Sequence, residues 1–171
     1  TIFVLGWSQQ QLGEEVRAWG ADCPFFTYNA PCYAEGIGDK LTPISLDLSG
    51  LRLVMIKPNC GVSTREAYGG IVRHPEVEGL IRQALAEGKT VVDMRSLLVN
   101  DFEQTVFPLY PEIAKIKQRL LDAGAVYTAM SGSGSTVFGL FENNAEGRTD
   151  AQLRLLHEEF ASMVILDNTL A

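Results

Sequence analysis

Two glycines alternate with three hydroxyl side chains in the run Ser131-Gly132-Ser133-Gly134-Ser135. Glycines let successive backbone N–H groups point into one concavity, and such a concavity binds anions, above all phosphate. The run lacks the Gly-Lys-Ser/Thr end of a P-loop, and it precedes a predicted strand, whereas the dinucleotide fingerprint opens a helix. It therefore predicts either a phosphate contact or a plain hairpin connection.

Asp22 is a second candidate, because it lies in the turn Gly20-Ala21-Asp22-Cys23-Pro24. A carboxylate held in a turn could take a proton from a substrate hydroxyl or fix the orientation of that hydroxyl. An aspartate in a turn also commonly bonds its own backbone. The residue pattern alone leaves both interpretations open.

Thr64 and Tyr68 are four residues apart, which places both on one face of a predicted helix. Tyr68 could stack on a flat ring while Thr64 donates a hydrogen bond to it. The alternative is a helix cap followed by a core aromatic. A further polar group, Asn100-Asp101 with Glu103, reads as caps at a helix end.

The sequence predicts no metal site. His74 and His157 have no plausible partners nearby in the sequence, and the cysteines at 23, 32 and 60 lack metal-ligand spacing. Their odd count is typical of reduced thiols and favours a cytoplasmic protein.

Helices and strands alternate along the chain. We predict helices over 8–19, 63–68, 77–87, 91–99, 111–123 and 150–160, and strands over 25–29, 32–35, 41–48, 51–56, 126–130, 136–141 and 163–166. This order predicts an α/β (α+β) fold, a two-layer sandwich with helices on one face of a mostly antiparallel sheet.

Composition excludes several classes of protein. Of 171 residues, 46% are hydrophobic, so the chain can bury a core, and the net charge of −7 is poorly suited to nucleic acid. No apolar stretch approaches the roughly 20 residues that span a bilayer. We therefore expect a small-molecule ligand, with no nucleic-acid or membrane partner.

Five separated segments, taken in order, resemble the family of 4-diphosphocytidyl-2-C-methyl-D-erythritol kinases, within the superfamily of galactokinase, homoserine kinase and mevalonate kinase. The segments are Gly20–Phe26, Ala34–Gly38, Lys57-Pro58 with Val62–Tyr68, Asn100–Glu103 and Met130–Phe138. The Gly/Ser run alone would indicate only the superfamily.

The resemblance implies transfer of the ATP γ-phosphoryl group, with Mg²⁺, to the 2-hydroxyl of a cytidine-diphospho methylerythritol in non-mevalonate isoprenoid synthesis. It implies that Asp22 is the catalytic aspartate, that Tyr68 stacks on cytosine and that Thr64 contacts substrate. It also implies that Ser131–Ser135 lies by the phosphates. Two alternatives stay open: another superfamily kinase, of homoserine or mevalonate type, and a non-catalytic module with the same fold.

The family's main ATP-binding loop and early catalytic lysine are not found among these residues, and the sequence opens at Thr1 without Met. We therefore expect a C-terminal portion of the kinase that is inactive by itself. Residues 1–50 would be the remainder of the nucleotide-binding domain, and residues 51–171 the substrate-side domain. A truncated sheet would also favour self-association through its exposed face.

Overall fold

A computed structural model describes residues 6–20, 22–72, 75–143 and 148–170. The chain forms two compact units, Thr1–Leu46 and Asp47–Ala171. The predicted candidate His74 and the opening residues 1–5 lie outside the described residues.

In the first unit, the part of the chain that the structure describes forms two α-helices and a two-stranded hairpin. Helix α1 spans Gln9–Val16, begins at a capping box between Ser8 and Gln11, and is followed by a 3-10 turn. Strands β1 (Cys32–Glu35) and β2 (Lys40–Pro43) pair antiparallel. The predicted strand over 41–48 therefore ends early. Its last bond runs from the Ile44 amide to the Pro31 carbonyl at 2.9 Å, and Pro31 has no N–H to donate in return.

The strand predicted over 25–29 is wrong, because Phe25–Tyr28 forms a short helix, α2. Pro24 has φ −56°, which suits a helix start, and the amides of Phe25 and Phe26 bond the carbonyls of Asp22 and Cys23, each at 3.2 Å. Asn29, with φ +46°, ends the helix. A proline followed by two aromatics thus forms a turn of helix despite the strand preference of its side chains.

The second unit is built on a four-stranded antiparallel sheet. Its strands are β3 (Leu51–Lys57), β4 (Tyr127–Met130), β5 (Val137–Glu142) and β6 (Val164–Thr169), in the order β4-β5-β3-β6. Strand β3 is central, as its continuous apolar sequence predicts, with Val54 opposite Gly139 on one side and Asp167 on the other.

The described residues of the second unit form six helices. They are α3 (Thr64–Tyr68), α4 (Pro75–Ala86), α5 (Val91–Met94), α6 (Glu103–Leu109), α7 (Pro111–Asp122) and α8 (Arg148–Glu159). The predicted helix over 91–99 therefore ends at Met94, and α6 was not predicted. Helices with antiparallel sheets confirm the predicted α+β class.

The core of the second unit lies between the sheet and its helices. Val54 and Ile56, two residues apart on β3, share one buried face of the sheet. On α7, Ile113, Ile116 and Leu120 are fully buried, whereas Leu121 is 43% exposed. Further members of the cluster come from α7 and α8: Ile113, Ile116, Leu120, Leu153 and Leu156. Every helix among the described residues is too short or too polar to cross a membrane.

Candidate functional site

The Gly/Ser loop, Ser131–Ser135, joins β4 to β5 and is closed by its own backbone. The Ser131 amide donates to the Thr136 carbonyl at 2.8 Å, and the Gly134 amide donates to the Ser131 carbonyl at 3.0 Å. Within the described chain, the loop amides without a backbone acceptor are those of Gly132, Ser133 and Ser135. These amides are free to face an anion.

Gly134 is required by its surroundings. It has φ +92°, and a Cβ atom there would lie 2.8 Å from the Met130 sulfur and 3.3 Å from Val62 Cγ2. Gly132 also has positive φ, +55°, but no atom lies within 4 Å of its Cβ position. The loop is thus tightly packed beneath Gly134 and open at Gly132.

The three hydroxyls of the loop have different environments. Ser135 is 5% exposed, and its Oγ donates to the Cys60 carbonyl at 2.7 Å. This bond ties the loop to the segment after β3 and occupies the Ser135 hydroxyl proton. Ser131 is exposed and Ser133 is half-buried. Burial, with a hydrogen bond to Glu112, raises the pKa of the neighbouring Cys60 thiol.

Asn100 and Glu103 anchor the loop from the side. Asn100 Nδ2 donates to the carbonyls of Met130, at 2.6 Å, and Gly132, at 2.8 Å. Glu103 Oε1 accepts from the Met130 amide at 2.8 Å, and its other oxygen pairs with Lys117. The sequence interpretation as caps missed these contacts, because they join residues about thirty positions apart.

Tyr68 lies at the end of α3 and is 62% exposed, so it is not a core aromatic. Its ring meets that of Phe102 edge to face, with centroids 4.8 Å apart and planes at 83°. Thr64 is the exposed first residue of α3, and Ser63 caps the helix. The open face of the Tyr68 ring is available for stacking on a flat ligand.

One cavity of about 370 Å³ brings Tyr68 together with the Gly/Ser loop. Tyr68 and Phe102 line it, as do Asn100, Asp101 and Gly132. Thr64 is not among its lining residues. The cavity thus combines an aromatic ring with a glycine of a loop that could bind an anion. This combination suits a ligand that joins a flat base to phosphates.

Asp22 lies in the first unit with its side chain exposed. A Cβ atom at Gly38 would come within 3.1 Å of Asp22 Oδ1, and Gly38 has φ +92°. The loop at Gly36–Gly38 therefore leaves room for this carboxylate. Its catalytic role stays a prediction.

His157, which has no partner nearby in the sequence, is not isolated in the fold. Its Nε2 lies 3.1 Å from Asp167 Oδ2, and Asp167 also receives two hydrogen bonds from Arg52, at 2.6 and 2.9 Å. Among the described residues, no group of three or more His, Cys, Asp or Glu is arranged to hold a metal ion.

Comparison with known proteins gives a consistent result. Residues 92–152 match the family model described as GHMP kinases C terminal. The chain is 48% identical over 141 residues to the 4-diphosphocytidyl-2-C-methyl-D-erythritol kinase of Bacteroides thetaiotaomicron, covering 82% of this chain and 50% of that protein. A relative of the same name from Bacteroides fragilis is 46% identical over 142 residues, covering 81% and 50%. The chain thus spans about half the length of the curated relatives that it matches.

Solved structures agree with the fold. A crystal structure of a 4-(cytidine 5'-diphospho)-2C-methyl-D-erythritol kinase matches with a TM-score of 0.64 and 29% identity, covering 91% of this chain and 55% of that one. The homoserine kinase of Cytophaga hutchinsonii matches with a TM-score of 0.70 at 19% identity, covering 96% and 58%. The second likeness concerns the fold alone.

Proposed function

This chain belongs to the 4-diphosphocytidyl-2-C-methyl-D-erythritol kinases of the GHMP kinase family, as a C-terminal portion, and from that premise we propose its reaction. The whole protein transfers the γ-phosphoryl group of ATP to the 2-hydroxyl of 4-diphosphocytidyl-2-C-methyl-D-erythritol. The observation that carries this proposal is the cavity lined by the exposed Tyr68 ring and by Gly132 of the Gly/Ser loop.

Tyr68 is proposed to hold the cytosine ring. Its open face offers stacking worth about 1–3 kcal/mol per base, and the edge-to-face contact with Phe102 limits its rotation. Thr64, exposed one helical turn earlier, is proposed to contact the same substrate. Neither homoserine nor mevalonate has a flat ring, so this contact would separate the cytidine substrate from those of the related kinases.

The Gly/Ser loop is proposed to contact phosphate through its free amides and through the hydroxyls of Ser131 and Ser133. Phosphoryl transfer passes through a loose transition state with charge spread over the phosphoryl oxygens, so fixed N–H donors stabilise it. Ser135 contributes by fixing the loop, because its hydroxyl already donates to the Cys60 carbonyl.

Asp22 is proposed to orient and polarise the accepting hydroxyl. Its exposure leaves the carboxylate accessible, and the room at Gly38 allows a defined position. We infer that ATP is used with Mg²⁺, which takes its ligands from phosphates and only one or two carboxylates. A site of that kind does not require a dense acidic cluster in the protein. Reduced cysteines and this metabolic reaction favour the cytoplasm.

The test uses the full-length protein with ATP and the cytidine, homoserine or mevalonate substrate. We expect turnover of the cytidine substrate and a loss of about 10²–10⁴ in kcat for Asp22→Asn. Asp122→Asn, which changes an exposed carboxylate on α7, serves as the control. Full activity of Asp22→Asn would contradict the role of Asp22, and preferred turnover of homoserine or mevalonate would contradict the substrate.

A companion pair tests the stacking. Tyr68→Ala should raise the KM for the cytidine substrate about tenfold, whereas Tyr68→Phe should leave it nearly unchanged, because only the ring is needed. Equal KM values for both variants would argue against a base at this ring.

We further propose that residues 1–171 alone neither phosphorylate the substrate nor bind ATP tightly, because the family's main ATP loop is not in this sequence. Isothermal titration of the 171-residue chain with ATP should show no micromolar binding. A micromolar dissociation constant would overturn this proposal.

A further inference from the structure

We propose that the turn Asn100–Glu103 is a positioning element that fixes the Gly/Ser loop at one end and the Tyr68 ring at the other. The inference rests on the proposed function, because it assigns phosphate to the loop and the base to the ring. It adds Asn100, Phe102 and Glu103 as positioning residues for that site.

At the loop, the turn holds the last residue of β4 on both sides. The carbonyl of Met130 accepts from Asn100 Nδ2 at 2.6 Å, and the amide of Met130 donates to Glu103 Oε1 at 2.8 Å. Both hydrogens of the Asn100 amide are used, because Nδ2 also donates to the Gly132 carbonyl at 2.8 Å. The plane of the Gly132 peptide, and with it the direction of the following amide, is thereby set.

Glu103 is itself held in place. Its second oxygen pairs with Lys117 on α7, and both side chains are mostly buried, with 14% and 26% exposed. A carboxylate paired in this way keeps one oxygen directed at the Met130 amide. The loop is therefore anchored, through Glu103, to the main core helix.

At the ring, the same turn determines where Phe102 lies. The Phe102 amide donates to Asn100 Oδ1 at 3.0 Å, so one side chain bonds both the loop and the backbone of the turn. The Phe102 ring packs against the core and meets Tyr68 edge to face at 4.8 Å. Since Tyr68 is otherwise largely exposed, Phe102 supplies its lateral support.

These contacts predict separable effects. Asn100→Asp keeps the acceptor for the Phe102 amide but replaces two donated hydrogen bonds with a carboxylate facing two carbonyl oxygens. The Gly/Ser loop should therefore lose its fixed position, whereas the Tyr68 ring should keep its own. Phe102→Leu keeps an apolar side chain against the core but removes the ring contact with Tyr68. The Tyr68 ring should therefore become more mobile, whereas the Gly/Ser loop should keep its position. If the turn were only a helix cap, both variants would lower the stability of the protein, but they would not change kcat in one case and KM in the other.

The experiment uses the full-length protein. For Asn100→Asp we expect kcat to fall about tenfold or more with little change in the KM for the cytidine substrate, and exchange of the hydrogen-bonded amides of Met130 and Gly134 to quicken. For Phe102→Leu we expect that KM, and the dissociation constant of cytidine diphosphate, to rise about fivefold with kcat nearly unchanged.

Two matched controls accompany the variants. Asn59→Asp removes an equivalent Asn-to-carbonyl bond, from Asn59 Nδ2 to Ser162 at 3.0 Å. Phe160→Leu removes another buried ring of the same core, at a residue that follows α8 and lies outside the turn. Both controls should keep the wild-type kinetic constants.

The outcomes separate this proposal from the proposed function. If the wild-type protein lacks kinase activity, the proposed function fails. The role of the turn is then still decided by two other measurements, the rate of amide exchange in the loop and the dissociation constant of cytidine diphosphate. If wild-type protein is active but both variants keep normal exchange, kcat and affinity, the turn is not a positioning element. Equal losses of kcat and affinity in both variants and both controls would also overturn it, since they would indicate a general structural role.

Discussion

Gly134 and Ser135 are packed against their neighbours, whereas the Cβ position of Gly132 has no atom within 4 Å. The Cβ position of Gly134 meets Met130 and Val62, and the Ser135 hydroxyl is bonded to Cys60. The sequence correctly predicted a loop between two strands at Ser131–Ser135. It could not show that one hydroxyl is occupied, because the Cys60 carbonyl lies seventy-five positions away.

Gly134→Ala should destabilise the protein more than Gly132→Ala. Both substitutions place an alanine at positive φ, which costs about 1 kcal/mol, but only Gly134→Ala adds the contact with Met130 at 2.8 Å. We expect a total loss of about 2–4 kcal/mol for Gly134→Ala, measured by urea unfolding. Equal losses for the two variants would show that the contact with Met130 is relieved without cost.

Tyr127 should make the protein sensitive to alkali. Burial, with the nearby charge of Glu103, raises the pKa of Tyr127 to about 12, and its hydroxyl donates to the Leu98 carbonyl at 2.7 Å. The folded pKa of Tyr127 lies above the unfolded value of about 10. The neutral Tyr127 hydroxyl therefore contributes fully to the free energy of unfolding below pH 10, and this contribution is lost as the pH rises toward 12.

The measurement compares the free energy of unfolding of wild type and Tyr127→Phe from pH 8 to pH 11. The wild type should lose its advantage over the variant as the pH rises. A difference between the two proteins that stays constant with pH would contradict this assignment.

Helices and strands with a regular apolar pattern were predicted correctly from the sequence, whereas elements whose start or end depends on one residue were not. The apolar stripe of α7 and the continuous apolar run of β3 gave both elements correctly. Helix α6 was missed because Pro108 lies inside it, and a proline ordinarily ends a helix. Here Pro108 is next to the last helical residue, so only the end of a short helix loses a bond.

At the level of elements, Arg52 joins β3 to β6 and α8. It donates two hydrogen bonds to Asp167 and pairs with Asp150 at 2.5 Å. Burial raises the pKa of Asp167, but the hydrogen bonds and charge of Arg52, aided by His157, lower it by more. The net downward shift means that this pair stabilises the fold above the unfolded pKa of about 4 and ceases to do so as the pH falls through the folded value.

Arg52→Lys should therefore cost about 1–2 kcal/mol at pH 7, because lysine cannot make the paired contact. The cost should shrink as the pH falls through the lowered pKa of Asp167. Arg119→Lys, at an exposed pair with Glu159, is the control and should have a smaller effect. Denaturant unfolding at several pH values would reveal a cost independent of pH, which would rule out the Asp167 pairing as its source.

For the whole molecule, the apolar core belongs to the second unit. Every residue of the main hydrophobic cluster lies between Val54 and Ile165, and the described residues of the first unit bury fully only Gly13 and Pro24. The sequence predicted the class of fold and the family from separated motifs. The sequence could not show which of the two units holds the buried side chains, because an exposed apolar residue has the same sequence signal as a core residue. Phe26, which is 77% exposed, is an example.

Residues 47–171 should therefore fold alone, whereas residues 1–46 should not, because so short a segment with few buried side chains cannot offset its conformational entropy. Circular dichroism and dispersed amide spectra of the two segments would test this expectation. A folded 1–46 segment, or an unfolded 47–171 segment, would contradict it. The oligomeric state of the full chain, tested by sedimentation, stays a separate prediction.

The order of the strands in the sheet has a consequence for synthesis on the ribosome. Strand β3 emerges first, but its partners begin at Val137 and Val164. At about 5–20 residues per second, this apolar strand waits several seconds with both edges unpaired. Chaperones that shield nascent apolar segments would have their main binding opportunity here, and synonymous codons that slow translation between β3 and β5 would lengthen the exposure.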